Sequence, residues 1–112
     1  MKKVNILKSN RDYNRIINKE KPFYFKDYVI YLEKNTDDIY HFGFSVGKKI
    51  GNAVCRNKIK RQLKNILDKK CYQNNFNCII IVRKGILNKS YQEREKDLLN
   101  AIDKLGLMKG AK

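Results

Sequence analysis

Phe42 to Lys64 read FGFSVGKKIGNAVCRNKIKRQLK, and three local patterns follow one another there without a break. Phe42, Phe44 and Val46 alternate with Gly43 and Ser45, as a half-buried strand should. Gly47 to Asn52 is a glycine-rich turn carrying Lys48 and Lys49. Beyond it, a step of about 100° per residue gathers Cys55, Ile59, Leu63 and Ile66 on one side of a helix. The other side collects Arg56, Asn57, Lys60, Arg61 and Lys64.

That polar side is almost purely cationic. Arg56, Lys60 and Lys64 recur at i, i+4 and i+8, a span of about 12 Å, enough to meet several phosphates of one strand. No carboxylate interrupts the helix before Asp68. A merely solvated face mixes signs to gain i,i+4 pairs, and one that forgoes them repels itself unless an anion binds. The turn places two ammoniums where free helix N–H groups already favour an anion, so it reads as a second phosphate contact. It is not a Walker A loop, because only three residues separate Gly43 from Gly47 and Lys48 is followed by Lys49.

The rest of the composition agrees with a polyanion partner. Among 112 residues, 26 Lys and Arg against 11 Asp and Glu give a net charge of +15. One domain over 1–112 is expected, with 1–8 and 107–112 loose. No apolar run approaches the eighteen or so residues of a spanning helix and no signal-peptide core opens the chain, so a cytoplasmic protein without a membrane partner is expected. Cys55, Cys71 and Cys78 form no C-x-x-C pair and are expected to be free thiols.

Outside the central stretch, Ser9 with Asp12 imitates a capping box and opens a helix over 10–18, which Lys21-Pro22 ends. Phe23 to Glu33 reads as a strand or a bent pair, with Phe25, Val29 and Tyr31 sharing one parity. Asn35 to Asp38 has turn chemistry, which makes the Phe42 strand the antiparallel partner of the preceding one. Cys78 to Val82 is a continuous apolar run suited to a strand buried on both faces. Ser90 and Glu93 form a capping box for a last helix that stops at Gly106. His41 lies opposite the apolar residues, has no evident partner carboxylate and receives no role. The order is α-β-β-β-α-β-α, an α+β class, single-domain α/β sandwich on a four-stranded sheet.

The run Ser45 to Val54 followed by Arg56-Asn57-Lys58-Ile59-Lys60-Arg61 resembles the signature of the bacterial ribonuclease P protein component. The family core is usually Arg-Asn-Arg; Lys58 here keeps the charge but loses any bidentate fork. The resemblance implies a ribosomal protein S5 domain 2-like fold whose βαβ crossover is left-handed, against the general right-handed rule. It also implies the protein subunit of an endoribonuclease ribonucleoprotein that removes the 5′ leader of precursor tRNA. Its RNA subunit performs the chemistry with Mg²⁺. Ribonuclease P RNA and precursor tRNA are then the partners, with no DNA. Ser45, Lys48, Lys49, Asn52, Arg56, Asn57, Lys58, Lys60, Arg61 and Lys64 would contact the catalytic RNA. In the family a cleft between sheet and central helix holds the leader, and Tyr13, Ile17 and Tyr31 fall at leader-facing positions, Ile17 where some members have Phe.

Taken without the resemblance, the residues point to binding. The carboxylates are scattered with no metal-ligand spacing, and no nucleophile–base pair is evident. A structural or ribosomal RNA-binding protein without a role in tRNA processing is the alternative. A DNA-binding module is a further one, although no helix-turn-helix pair is evident.

Overall fold

The computed structural model describes residues 1–109. Its elements are α1 (Asn10–Lys19), β1 (Phe23–Phe25), β2 (Tyr28–Lys34), β3 (His41–Val46), α2 (Ala53–Leu67), β4 (Phe76–Val82) and α3 (Tyr91–Lys104), in the expected α-β-β-β-α-β-α order. Short 3₁₀ turns cover Lys3–Asn5 and Lys84–Asn88. Local chemistry sets the helix ends. Ser90 and Glu93 complete their reciprocal capping box at α3. At α1 only the Ser9 half forms, since the shorter Asp12 side chain turns to Arg15 instead. Gly106, at φ 71°, closes α3 by accepting the left-handed conformation. Its N–H donates to Asp103 and that of Leu107 to Ile102, a Schellman close.

The strand order is β1-β2-β4-β3. This corrects the expected pairing of β3 with β2. The two do run in opposite directions, but β4 lies between them, antiparallel to β2 and parallel to β3. The connection from Asn35 to Tyr40 therefore steps over a strand instead of closing a hairpin. Asn75 plugs the step: its N–H donates to the Ile39 carbonyl and its carbonyl accepts from Asn35. A central position suits the uninterrupted apolar run of β4, which is buried on both faces.

A second correction concerns Phe25. It does not share a face with Val29 and Tyr31, because the tight turn between β1 and β2, with Lys26 at φ 53°, resets the alternation. Phe23 and Phe25 face the main core with Tyr28 and Ile30, leaving Tyr24 on the other side.

Two layers of packing result. On one face, Tyr28, Phe42, Phe44, Cys78 and Ile80 meet Ile59, Leu63 and Ile66 of α2 and Leu98 and Ile102 of α3. Each fully buried aliphatic side chain there contributes about 1.5–3 kcal/mol at most. On the opposite face α1 and the segment before it cover only part of the sheet, through Ile16 and Leu7 on Ile79. Both ends expected to be loose make specific contacts. Ile6 bridges Phe42 along the open edge of β3 and Leu7 is buried. Met108 bridges Tyr72, and Lys109 donates to the Cys71 carbonyl; positions 110–112 lie outside the described residues.

Candidate nucleic-acid interface

The Gly47–Asn52 turn and α2 carry Lys48, Lys49, Arg56, Lys58, Lys60, Arg61 and Lys64. Among the described residues, none of these seven forms an ion pair. Lysines elsewhere do: Lys19 meets Glu33, Lys69 meets Glu95 and Lys89 meets Asp97. The first turn of α2 has no acidic residue, so its positive dipole end faces outward without compensation. Asn52 caps it, its Oδ1 accepting from the Cys55 N–H at 2.9 Å. One oxygen of Asn52 is thus committed to the helix, which leaves its amide hydrogens for other contacts. Arg56 is half-buried, and its Nε donates to the Gly51 carbonyl at 3.1 Å, fixing the guanidinium over the turn.

Helical rotation places Arg56, Asn57, Lys60 and Lys64 along one flank of α2 and carries Lys58 and Arg61 further round. Of the first flank, Lys60 and Lys64 reach past the open edge of β3 toward the N-terminal segment and α1 on the other face. Lys60 and Lys64 line a cleft of about 490 Å³ together with Tyr13 and Ser45. Lys8 and Asn10 line it too; sequence reasoning missed Lys8 because residues 1–8 lack periodicity, and Asn10 because it read only as the first residue of a helix. The unpaired charge of Lys8, just before the Ser9 cap, was the available signal.

Tyr13, Ile17 and Tyr31 come together on that same face, half-buried around Ile16 and Ile79. Tyr13 turns its hydroxyl inward, donating to the Leu7 carbonyl at 3.2 Å, with the Phe44 carbonyl at 3.5 Å. Burial pushes its phenol pKa up, while the Phe44 contact opposes that. The anchored hydroxyl holds the ring at the rim of the cleft. Tyr31 is paired in register with Ile79. Ile17 adds apolar surface to this cluster without a stacking face.

What holds α1 here is a charge clamp at Glu33, one of the carboxylates that show no pattern in the sequence. Glu33 is 5% exposed. Arg15 grips it through Nη2 at 2.9 Å and Nε at 3.3 Å, Lys19 approaches to 2.7 Å, and Asn77 donates at 2.9 Å. The Arg15 hydrogen bonds, aided by Lys19 and Asn77, hold its pKa down at about 2 although burial pushes the other way.

A larger cavity of about 560 Å³ adjoins the Tyr13 cleft at Ile6, Leu7 and Lys8, and its charged lining sets Asp12, Glu33 and Asp37 against Lys8, Arg15 and Lys34, with His41 beside them. Its carboxylates make it a poor host for phosphate, and Arg15 is already engaged by Asp12 and Glu33. The expectation that His41 has no partner is corrected: its Nε2 lies 3.2 Å from Asp37 Oδ2, a carboxylate one helical turn away in number but brought close by the loop. Among the described residues no group of three or more His, Cys, Asp or Glu side chains could hold a metal ion. Cys55, Cys71 and Cys78 are free, and among the described residues no helix is long and apolar enough to cross a membrane.

A mixed sheet with a cationic helix packed on one face, α1 partly covering the other, and a cleft between them lined by Tyr13, Lys60 and Lys64 defines a small basic α+β protein suited to a polyanion. The comparisons with known proteins agree. The ribonuclease P protein component of Mycoplasma mobile is 36% identical over 106 residues, covering 94% of this chain and 93% of its own. That of Streptococcus agalactiae is 35% identical over 109 residues, 96% of this chain and 100% of its own. The solved Staphylococcus aureus RNase P protein superposes with a TM-score of 0.84 at 28% identity, over 94% of this chain and 98% of its own. The Thermotoga maritima protein gives 0.78 at 26%, over 88% and 94%. With the Ribonuclease P family model matching residues 1–106, the chain belongs to the ribonuclease P protein family. It is the accessory protein subunit of an endoribonuclease ribonucleoprotein that acts in tRNA processing.

Proposed function

We propose that the two surfaces divide the work of that subunit. The turn, the end of β3 before it and α2 dock the catalytic RNA through Ser45, Lys48, Lys49, Asn52, Arg56, Asn57, Lys58, Lys60, Arg61 and Lys64, reading the shape of its backbone with little base specificity. The cleft beside α1 takes the single-stranded 5′ leader of precursor tRNA against Tyr13, Ile17 and Tyr31, because stacking tolerates any base. Mg²⁺ is held by the RNA subunit, and the assembly works in the cytoplasm as one folded unit.

One observation supports this reading above the others: Lys60 and Lys64, cations without a carboxylate partner, share a cleft with Tyr13. The docking helix and the leader cleft therefore adjoin at these two lysines, which brings the two RNAs side by side. No chemistry is asked of the protein; it lowers the repulsion between two RNAs and orients one against the other.

Comparing Tyr31→Leu with the unchanged protein in the reconstituted ribonucleoprotein tests the assignment. Affinity for precursor tRNA should fall by about fivefold or more while affinity for mature tRNA stays unchanged. Equal loss for both would make Tyr31 a packing residue only.

A further inference from the structure

Side chains on one face of a sheet line up across strands that are in register. Tyr24 of β1 opposes Val29 of β2, Val29 opposes Ile81 of β4, and Ile81 opposes Ser45 of β3. This row crosses the whole sheet on the side that carries α1. α1 itself covers the neighbouring row, where Ile79 is completely buried. Val29, Ile81 and Ser45 remain half-exposed, and Tyr24 is 63% exposed.

The two ends of the row differ from its middle. Ser45 opens into the cleft that holds Tyr13, Lys60 and Lys64. At the far end, three strand spacings or about 14 Å away, the Arg83 guanidinium lies 5.8 Å from the centre of the Tyr24 ring. Arg83 is exposed and, among the described residues, has no carboxylate partner. Its backbone N–H donates to the Asp27 carbonyl at 2.8 Å, which ties it to the β1–β2 turn. An apolar track thus runs from one cationic aromatic site to another.

We infer that Tyr24 and Arg83 form a second station for single-stranded RNA, where a leader nucleotide farther from the cleavage point stacks on Tyr24 and sets its phosphate on Arg83. This rests on the reading that the α1 cleft holds the leader. The charge pattern indicates the occupant: both ends present cations, the floor between them is apolar, and the protein carries a net charge of +15. Stacking on a ring needs no particular base, and the exposed arginine–tyrosine contact is weak enough to yield to one. Phe23 and Phe25 face inward against the core, so Tyr24 is the one aromatic of β1 offered to this face.

The test uses the ribonucleoprotein reconstituted with a bacterial ribonuclease P RNA and precursor tRNAs whose leaders are shortened one nucleotide at a time. Tyr24→Ala should lose about fivefold or more in affinity for long leaders only, with short and absent leaders unaffected, and Tyr24→Phe should retain the affinity. Arg83→Ala should flatten the salt dependence by about one log–log unit, again for long leaders only. A Tyr24→Ala loss that is the same at every length, or no loss at any length, overturns the inference. Tyr13→Ala separates it from the underlying reading. If Tyr13→Ala still weakens short-leader substrates, only the second station falls; if neither variant changes the dependence on leader length, the leader cleft falls with it.

Discussion

Tyr13 lies so close to the backbone of Gly43 that a Cβ built there would stand 2.4 Å from the phenolic oxygen and 2.7 Å from the ring carbon bearing it. A strand glycine marks a close approach of this kind, and here it lets the α1 tyrosine hydrogen-bond the edge of β3. Gly43→Ala should lever the ring outward. Overpacking of this sort costs about 1–3 kcal/mol, read by denaturant titration, and the leader-dependent part of precursor affinity should fall with it. Unchanged leader dependence would remove Tyr13 from the cleft.

The Glu33 clamp makes a pH prediction. Its carboxyl titrates near 2 in the folded chain against 4.5 for an ordinary glutamate. A depressed acid pKa stabilises the fold at pH values above the unfolded value, and the benefit is lost as pH falls toward the folded one. Stability should therefore decline between about pH 4.5 and pH 2. Glu33→Gln should lower stability at neutral pH by about 1–3 kcal/mol and flatten this acid limb, as followed by thermal melts. An acid limb identical in both proteins would contradict the clamp.

Arg56 and Lys60 are assigned to phosphates, so Arg56→Ala or Lys60→Ala should each reduce the log–log salt slope of RNA binding by roughly one unit. Lys69→Ala provides the contrast, because Lys69 is engaged by Glu95, and its slope should match the unchanged protein. Equal slopes for all of them would take the two α2 cations out of the interface.

Two substitutions at Asn52 separate its roles. Asn52→Ala removes the cap on Cys55 and should cost about 1 kcal/mol. Asn52→Asp keeps a capping oxygen, and its negative charge suits a helix N-terminus, so stability should hold. That same charge should repel phosphate and weaken RNA binding. If Asn52→Asp binds RNA as tightly as the unchanged protein, Asn52 acts as a cap alone.

Much of α2 was legible before any coordinates, because amphipathic periodicity is local: Ile59, Leu63 and Ile66 are buried as read, and Cys55 packs at the core's margin. The Ser90–Glu93 box and the Gly106 stop are equally local and hold. Strand adjacency is not local. The turn residues Asn35 to Asp38 look the same whether they close a hairpin or step over β4, and only the packing of β4 decides. Phe25 changed faces because a two-residue turn inside an aromatic run leaves little trace in composition. Glu33 was invisible as a clamp since Arg15 and Lys19 belong to a helix well upstream, and the Tyr13–Gly43 contact joins residues thirty apart in the chain. The cationic residues were legible as a charge pattern; that Lys60 and Lys64 share a cleft with Tyr13 required the fold.

The account rests on a protein that assists RNA catalysis without performing it. The most direct measurement adds the purified chain to a bacterial ribonuclease P RNA at limiting Mg²⁺ and follows release of the 5′ leader from precursor tRNA. Cleavage should rise strongly with added protein and should be absent when the RNA is omitted. Cleavage by the protein alone, or an RNA no more active with it than without it, would contradict the account.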